Sequence, residues 1–176
     1  VRVTGEQLGT VLAELKAYLR IANDDEDAVL RTLLKSAAAL CEQFLGQWLV
    51  VRSAEEKVPA DGRWQRLAAR PVVAITSVEG VSAAGASVPI GTGAYAIDID
   101  RAGEGWVRSR SAGVPLLNVS YQAGLAVDLN GVPDAVRQGI VRLAADNYAA
   151  RGGDAASAPP AAITALWRPW RRMRLA

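Results

Sequence analysis

Residues 15–46 constrain the fold more than any other stretch. Val29, Leu30, Leu33, Leu34, Ala37, Leu40, Cys41, Phe44 and Leu45 recur at steps of three and four, which draws one apolar stripe along a helix. Upstream, Asn23 stands three residues before Glu26, the spacing of a capping box. Asp24, Asp25, Glu26 and Asp27 add negative charge where the helix dipole favours it. Gly46 follows as a C-cap, so the pattern predicts a helix over about 24–46. Before the acidic turn, Leu8, Val11, Leu12, Leu15 and Leu19 form a second stripe. Thr4 and Gln7 at capping-box spacing place the start of that helix, which is expected over about 5–21. Two amphipathic helices with a short connection make an αα-hairpin that needs a further element to cover it.

From Trp48 the helical period disappears. Short β-branched or alternating runs at about 47–57, 72–81, 88–90, 95–99, 106–108 and 116–122, with a brief pairing at 64–67, are expected to give about five or six short strands separated by Gly-, Pro- and Asp-rich turns, as a small antiparallel sheet or barrel-like sandwich. Pro133 then opens a third helix over about 133–151, carried by Val136, Ile140, Val141, Leu143, Ala144 and Tyr148 and stopped at Gly152 and Gly153. An Ala/Ser/Pro-rich linker at 154–160 precedes a short helix at about 162–167, which Pro169 ends. The expected class is α+β: an α-helical bundle, made of the αα-hairpin and the third long helix, with a small antiparallel β-sheet inserted over about 47–124 and a C-terminal tail. Residues 1–151 are expected as a single domain and 152–176 as a flexible linker and docking tail.

Composition removes whole classes of chemistry. The chain has no histidine and one cysteine, Cys41, on the apolar helical stripe. Catalysis through an imidazole and zinc sites of the Cys/His kind are therefore excluded, and Cys41 is expected in the core. The acidic run lacks the spacing and glycine of a calcium loop. Gly91-Thr92-Gly93 and Gly103-Glu104-Gly105 do not open a helix after a strand, and so they are expected as hairpin turns rather than phosphate cradles. Asp98 and Asp100 have no partner group and are expected as surface turn residues. No catalytic residue, cofactor or metal is expected. No apolar run reaches the length of a membrane span, and no long apolar segment after the first charges marks a secretory leader. The formal net charge of +2 by itself implies no nucleic-acid partner.

The most unusual segment is the last one. Trp167 and Trp170 are interleaved with Arg168, Arg171, Arg172 and Arg174. Tryptophan and arginine dominate binding hot spots, so one reading is an anchor in a protein partner. The same residues would also suit nucleic-acid phosphates and bases, or the tryptophans would fold back on the domain. Composition leaves all three open.

Leu15 to Ile21, the acidic turn at Asp24, Asp25, Glu26 and Asp27, and a helix ending in Glu42-Gln43-Phe44-Leu45-Gly46 together resemble the phage head-tail connector family. These are the adaptors of long-tailed phages and gene transfer agents. Arg70-Pro71 with Ile75 to Val78, Tyr95 to Asp98, Val119 to Gly124, Val132 to Ile140 and the closing Trp/Arg segment follow in the family's order. The resemblance implies a structural virion protein rather than an enzyme. It implies a ring, of twelve copies, below the portal protein at the head-tail interface, assembled in the host cytoplasm. The ring would extend the DNA channel without sequence-specific DNA binding, would receive a stopper or tail-completion protein, and would have no membrane partner. The same resemblance implies portal binding by Trp167, Arg168, Trp170, Arg171, Arg172 and Arg174. From charge alone, Asp24, Asp25, Glu26 and Asp27 are assigned to the channel wall. The alternative is a nucleic-acid-binding accessory protein of DNA packaging that uses the basic C-terminal tail.

Overall fold

A computed structural model describes residues 8–110, 113–150 and 159–171. The chain divides into two compact units, residues 1–50 with 126–176 and residues 51–125.

The first unit is helical. α1 spans Gly9–Leu19 and α2 spans Asp27–Leu45. α3 spans Asp134–Ala149, and α4, Ala161–Trp167, runs into a 3-10 turn at Arg168–Trp170. α3 packs against α1, α2 and α4. Val11, Leu15, Leu30, Leu34, Ala37, Cys41 and Leu45 meet Val136, Ile140 and Ala144 in one buried core, as the two stripes require. The αα-hairpin is closed by backbone geometry. Arg20 is left-handed at φ 60, and Ile21 N–H reaches back to Lys16 O at 2.9 Å. Gly46 caps α2 at φ 65, a conformation that suits a residue without Cβ. Where the chain leaves and re-enters this unit, Val50 and Ala126 form a parallel bridge, and Ala126 N–H donates to Leu49 O at 3.1 Å.

The second unit contains two antiparallel sheets. β1 (Arg52–Pro59), β3 (Val72–Val81), β4 (Ser87–Val88) and β7 (Leu116–Ala123) form one, in the order β1-β7-β3-β4. β2 (Gln65–Arg66), β5 (Tyr95–Ile99) and β6 (Gly105–Ser109) form the other, in the order β2-β6-β5. β7 lies between β1 and β3 and buries Leu117, Val119, Tyr121 and Ala123 at period two. Register shifts between Val72 and Ala74 and between Ile75 and Ser77 mark bulges in β3, which bend and twist the strand. The turn into β6 leaves no room for a side chain at Gly103. That residue has φ +74, and an added Cβ would lie 2.6 Å from Pro71 Cβ.

Tyr121 locks this unit. Its hydroxyl accepts the Ala69 N–H at 3.0 Å and donates to Glu56 Oε2 at 3.2 Å. Burial, with the charge of Glu56 adding to it, pushes the phenol up to about 12. The folded state therefore favours the neutral phenol, whose ordinary value is about 10. That contribution to stability is complete below pH of about 10 and is lost as pH rises from there towards about 12. In a series of urea melts over this window, Tyr121→Phe is expected to start less stable and to lose less stability than the parent as pH rises. Parallel curves for the two proteins would count against the lock.

Two expectations need correction. The α+β class holds, but a bundle of three helices with one small inserted sheet and a trailing tail does not describe the molecule. The described residues hold four helices and seven strands in two sheets. The strands divide between two sheets rather than one, and the short helix near the C-terminus packs against α3 instead of trailing as part of a tail. The pairing is also non-local, since β1 and β3 both pair with β7, which no turn signal reveals. The second correction concerns the start of α2. Glu26 occupies the N-cap without a side-chain capping bond, and the helix begins at Asp27. The Glu26 carboxylate is instead hydrogen-bonded by the Tyr148 hydroxyl, so a tertiary contact displaces the local capping box. The proposed first box, Thr4 with Gln7, lies outside the described residues.

Candidate functional site: the C-terminal clasp and the acidic turn

Five side chains hold the C-terminal segment on the helical unit. α4 carries Ile163 and Trp167 on one face, and both are buried. Trp167 is fully buried; its Nε1–H donates to Val136 O at 3.1 Å, a backbone carbonyl of α3. The indole can come this close because residue 139 is glycine. A Cβ there would sit 2.2 Å from Trp167 Nε1. Phe44 at the end of α2 packs on the same indole, with ring centroids 5.8 Å apart and planes tilted by 51°. Beyond the helix, Gln47 Nε2 donates to Trp170 O at 2.7 Å, and the Arg171 guanidinium lies 5.2 Å from the Phe44 centroid.

The six residues singled out in this segment therefore have different fates. Trp167 is an internal anchor. Arg168 and Trp170 face solvent, Trp170 with 41% of its surface exposed. Arg171 is exposed but held over Phe44. Arg172 and Arg174 lie outside the described residues. Gly139, Phe44 and Gln47 are the parts that the sequence reading missed. Gly139 alone left a trace there, because a glycine inside a helix costs about 1 kcal/mol against alanine and so calls for a packing reason.

The acidic turn is less bare than its sequence. Lys16 on α1 bonds Asp24 at 2.5 Å and Asp27 at 2.9 Å, and Arg31 reaches Asp27 at 3.3 Å. The hydrogen bond from Lys16 holds the Asp24 carboxyl below its usual range, and the same two aspartates push the Lys16 ammonium up. With Glu26 bonded to Tyr148, Asp25 is the exposed carboxylate of the run that makes no ion pair among the described residues.

Among the described residues no group of His, Cys, Asp or Glu side chains could hold a metal ion. Cys41 is buried in the helical core, and burial pushes its thiol far up, away from a reactive thiolate. No helix of the described residues is long and apolar enough to cross a membrane.

Residues 10–77, from α1 into β3, match the family of phage gp6-like head-tail connector proteins. Over that stretch the chain is similar to head-tail connectors. Solved structures resemble the chain along its whole length. A chain in the neck of an empty gene transfer agent particle, computed with C6 symmetry, superposes with a TM-score of 0.79 at 26% identity, covering 100% of this chain and 95% of that one. A chain of the native gene transfer agent virion gives 0.77 at 27% identity, with coverage of 100% and 95%. A chain in the neck of the native particle, computed with C12 symmetry, gives 0.76 at 27%, with coverage of 100% and 94%. No sequence relative is found among curated proteins.

Proposed function

We propose that this protein is a head-tail connector that acts as a ring of identical subunits beneath a portal protein, extends the DNA channel and presents the surface on which a stopper or tail-completion protein assembles. The observation that carries this reading is the full-length likeness, at a TM-score of 0.79, to a chain in the neck of a gene transfer agent particle. The six- and twelvefold symmetries used for those necks are both compatible with twelve copies. In this reading the protein performs no reaction, contacts passing DNA without sequence preference, engages no membrane, and works in the neck of a phage or gene transfer particle after assembly in the host cytoplasm.

The portal contact is assigned to Arg168, Trp170 and Arg171, continued by Arg172 and Arg174, with Trp167 holding their base in place. This combines two of the expectations for the segment, since one tryptophan folds back and the other is offered outward. The turn at residues 24–27 is assigned to the channel wall, with Asp25 as its unpaired charge. Particles carrying Asp25→Asn that eject DNA at the parental rate would remove that assignment.

The reading is tested by co-expression with the cognate portal, followed by mass measurement and electron microscopy of the purified assembly. A ring of twelve connector subunits bound to the portal is expected. A connector that neither self-associates nor binds the portal, but binds DNA with steep salt dependence, would replace this reading with the packaging-accessory one.

A further inference from the structure

We infer that the outer face of the β2-β6-β5 sheet is a binding surface for the phosphodiester backbone of nucleic acid. Along β6, Gly105, Val107 and Ser109 are buried, so Trp106 and Arg108 share the opposite face. Register adds Arg66 beside Trp106 from β2, and Asp98 beside Trp106 from β5. Trp64 joins them through Arg108, whose guanidinium lies 4.9 Å from the Trp64 centroid. Arg110 follows two residues beyond Arg108 and is exposed.

Two of the chain's five tryptophans are thus placed on a sheet face away from the core, Trp64 with 42% of its surface exposed. Ala96 is the largest aliphatic side chain that the register puts on this face. An apolar protein partner would find little to bury against, whereas alternating indoles and guanidiniums suit phosphates and base planes. The charge balance agrees. Glu104 takes up part of Arg66, at 3.4 Å, while it also pairs with Arg70 at 2.9 Å, and Asp98 is the carboxylate that the register places beside Trp106. Arg108 and Arg110 have no carboxylate partner among the described residues, and Arg108 Nε is enclosed without a hydrogen bond. The stack fixes the guanidinium of Arg108 while leaving its charge uncompensated.

This inference concerns a different surface from the C-terminal clasp and does not depend on ring formation. Its test is fluorescence anisotropy of labelled single-stranded and duplex DNA with the full chain over a salt series. Arg108→Gln with Arg110→Gln is expected to weaken binding about tenfold at low salt and to reduce the salt slope by about one for each cation removed. Arg168→Gln with Arg171→Gln serves as the control and is expected to change neither. Trp64→Ala separates the sources. Weakening confined to single strands assigns stacked, unpaired bases, and equal weakening of both assigns the backbone alone; either supports the surface. Three results would overturn it: no DNA binding by the parent chain, parental binding by the folded Arg108/Arg110 variant, or competition by polyglutamate as effective as by DNA, which would indicate an acidic protein partner. Thermal melts of each variant against the parent confirm that the fold is retained.

Discussion

Trp167→Ala is expected to destabilise the helical unit by about 3–5 kcal/mol, the range for deleting a fully buried aromatic side chain. The loss includes the cavity between Gly139 and Phe44 and the indole hydrogen bond to the Val136 carbonyl. Gly139 makes the test specific. In the parent, Gly139→Ala puts a methyl group 2.2 Å from the indole nitrogen, and the resulting strain, of about 1–3 kcal/mol, exceeds or cancels the gain in helix propensity of about 1 kcal/mol. In the Trp167→Ala background the methyl has space, and the same change is expected to stabilise by up to about 1 kcal/mol. Urea denaturation of the four proteins measures the coupling. A Gly139→Ala change with the same sign in both backgrounds would refute the proposed contact.

How much of this was legible beforehand depends on length and locality. The α1–α2 hairpin was readable because eleven- and nineteen-residue helices repeat their apolar spacing often enough to define a face. Strands β3, β5 and β7 could be located for a related reason, having runs of five to ten residues between clear turns. Their arrangement could not, because pairing β1 and β3 on opposite edges of β7 joins residues some thirty-five to seventy positions apart. The capping box at Asn23 and Glu26 failed for a complementary reason. A local rule weighs local donors, and here Tyr148, 122 residues away, supplies the competing one. In the C-terminal segment, composition singled out the residues without showing which fold back and which face solvent. Only the close approach at Gly139 shows that one tryptophan belongs to the core and the next to the surface.

That division determines how portal docking must be tested. A chain ending at Pro160 would lose Trp167 along with the outward residues, so it would fail to bind a portal whether its surface or its stability had been damaged. Arg168→Glu combined with Trp170→Ala avoids the confusion. Neither side chain belongs to the buried set, and the Gln47 bond to residue 170 goes to its backbone, which the substitution keeps. On the docking role proposed above, each residue is an exposed hot spot worth about 2 kcal/mol or more. The pair is therefore expected to weaken portal binding about a thousandfold while leaving the unfolding free energy from urea melts within about 0.5 kcal/mol of the parent. The charge reversal should also flatten the dependence of the association rate on ionic strength, because a rim cation steers encounter more than it holds the complex. Surface plasmon resonance against the immobilised portal reads both effects. Parental affinity in the double variant, with the helical unit intact, would move the contact away from the C-terminal segment and on to another face of the helical unit.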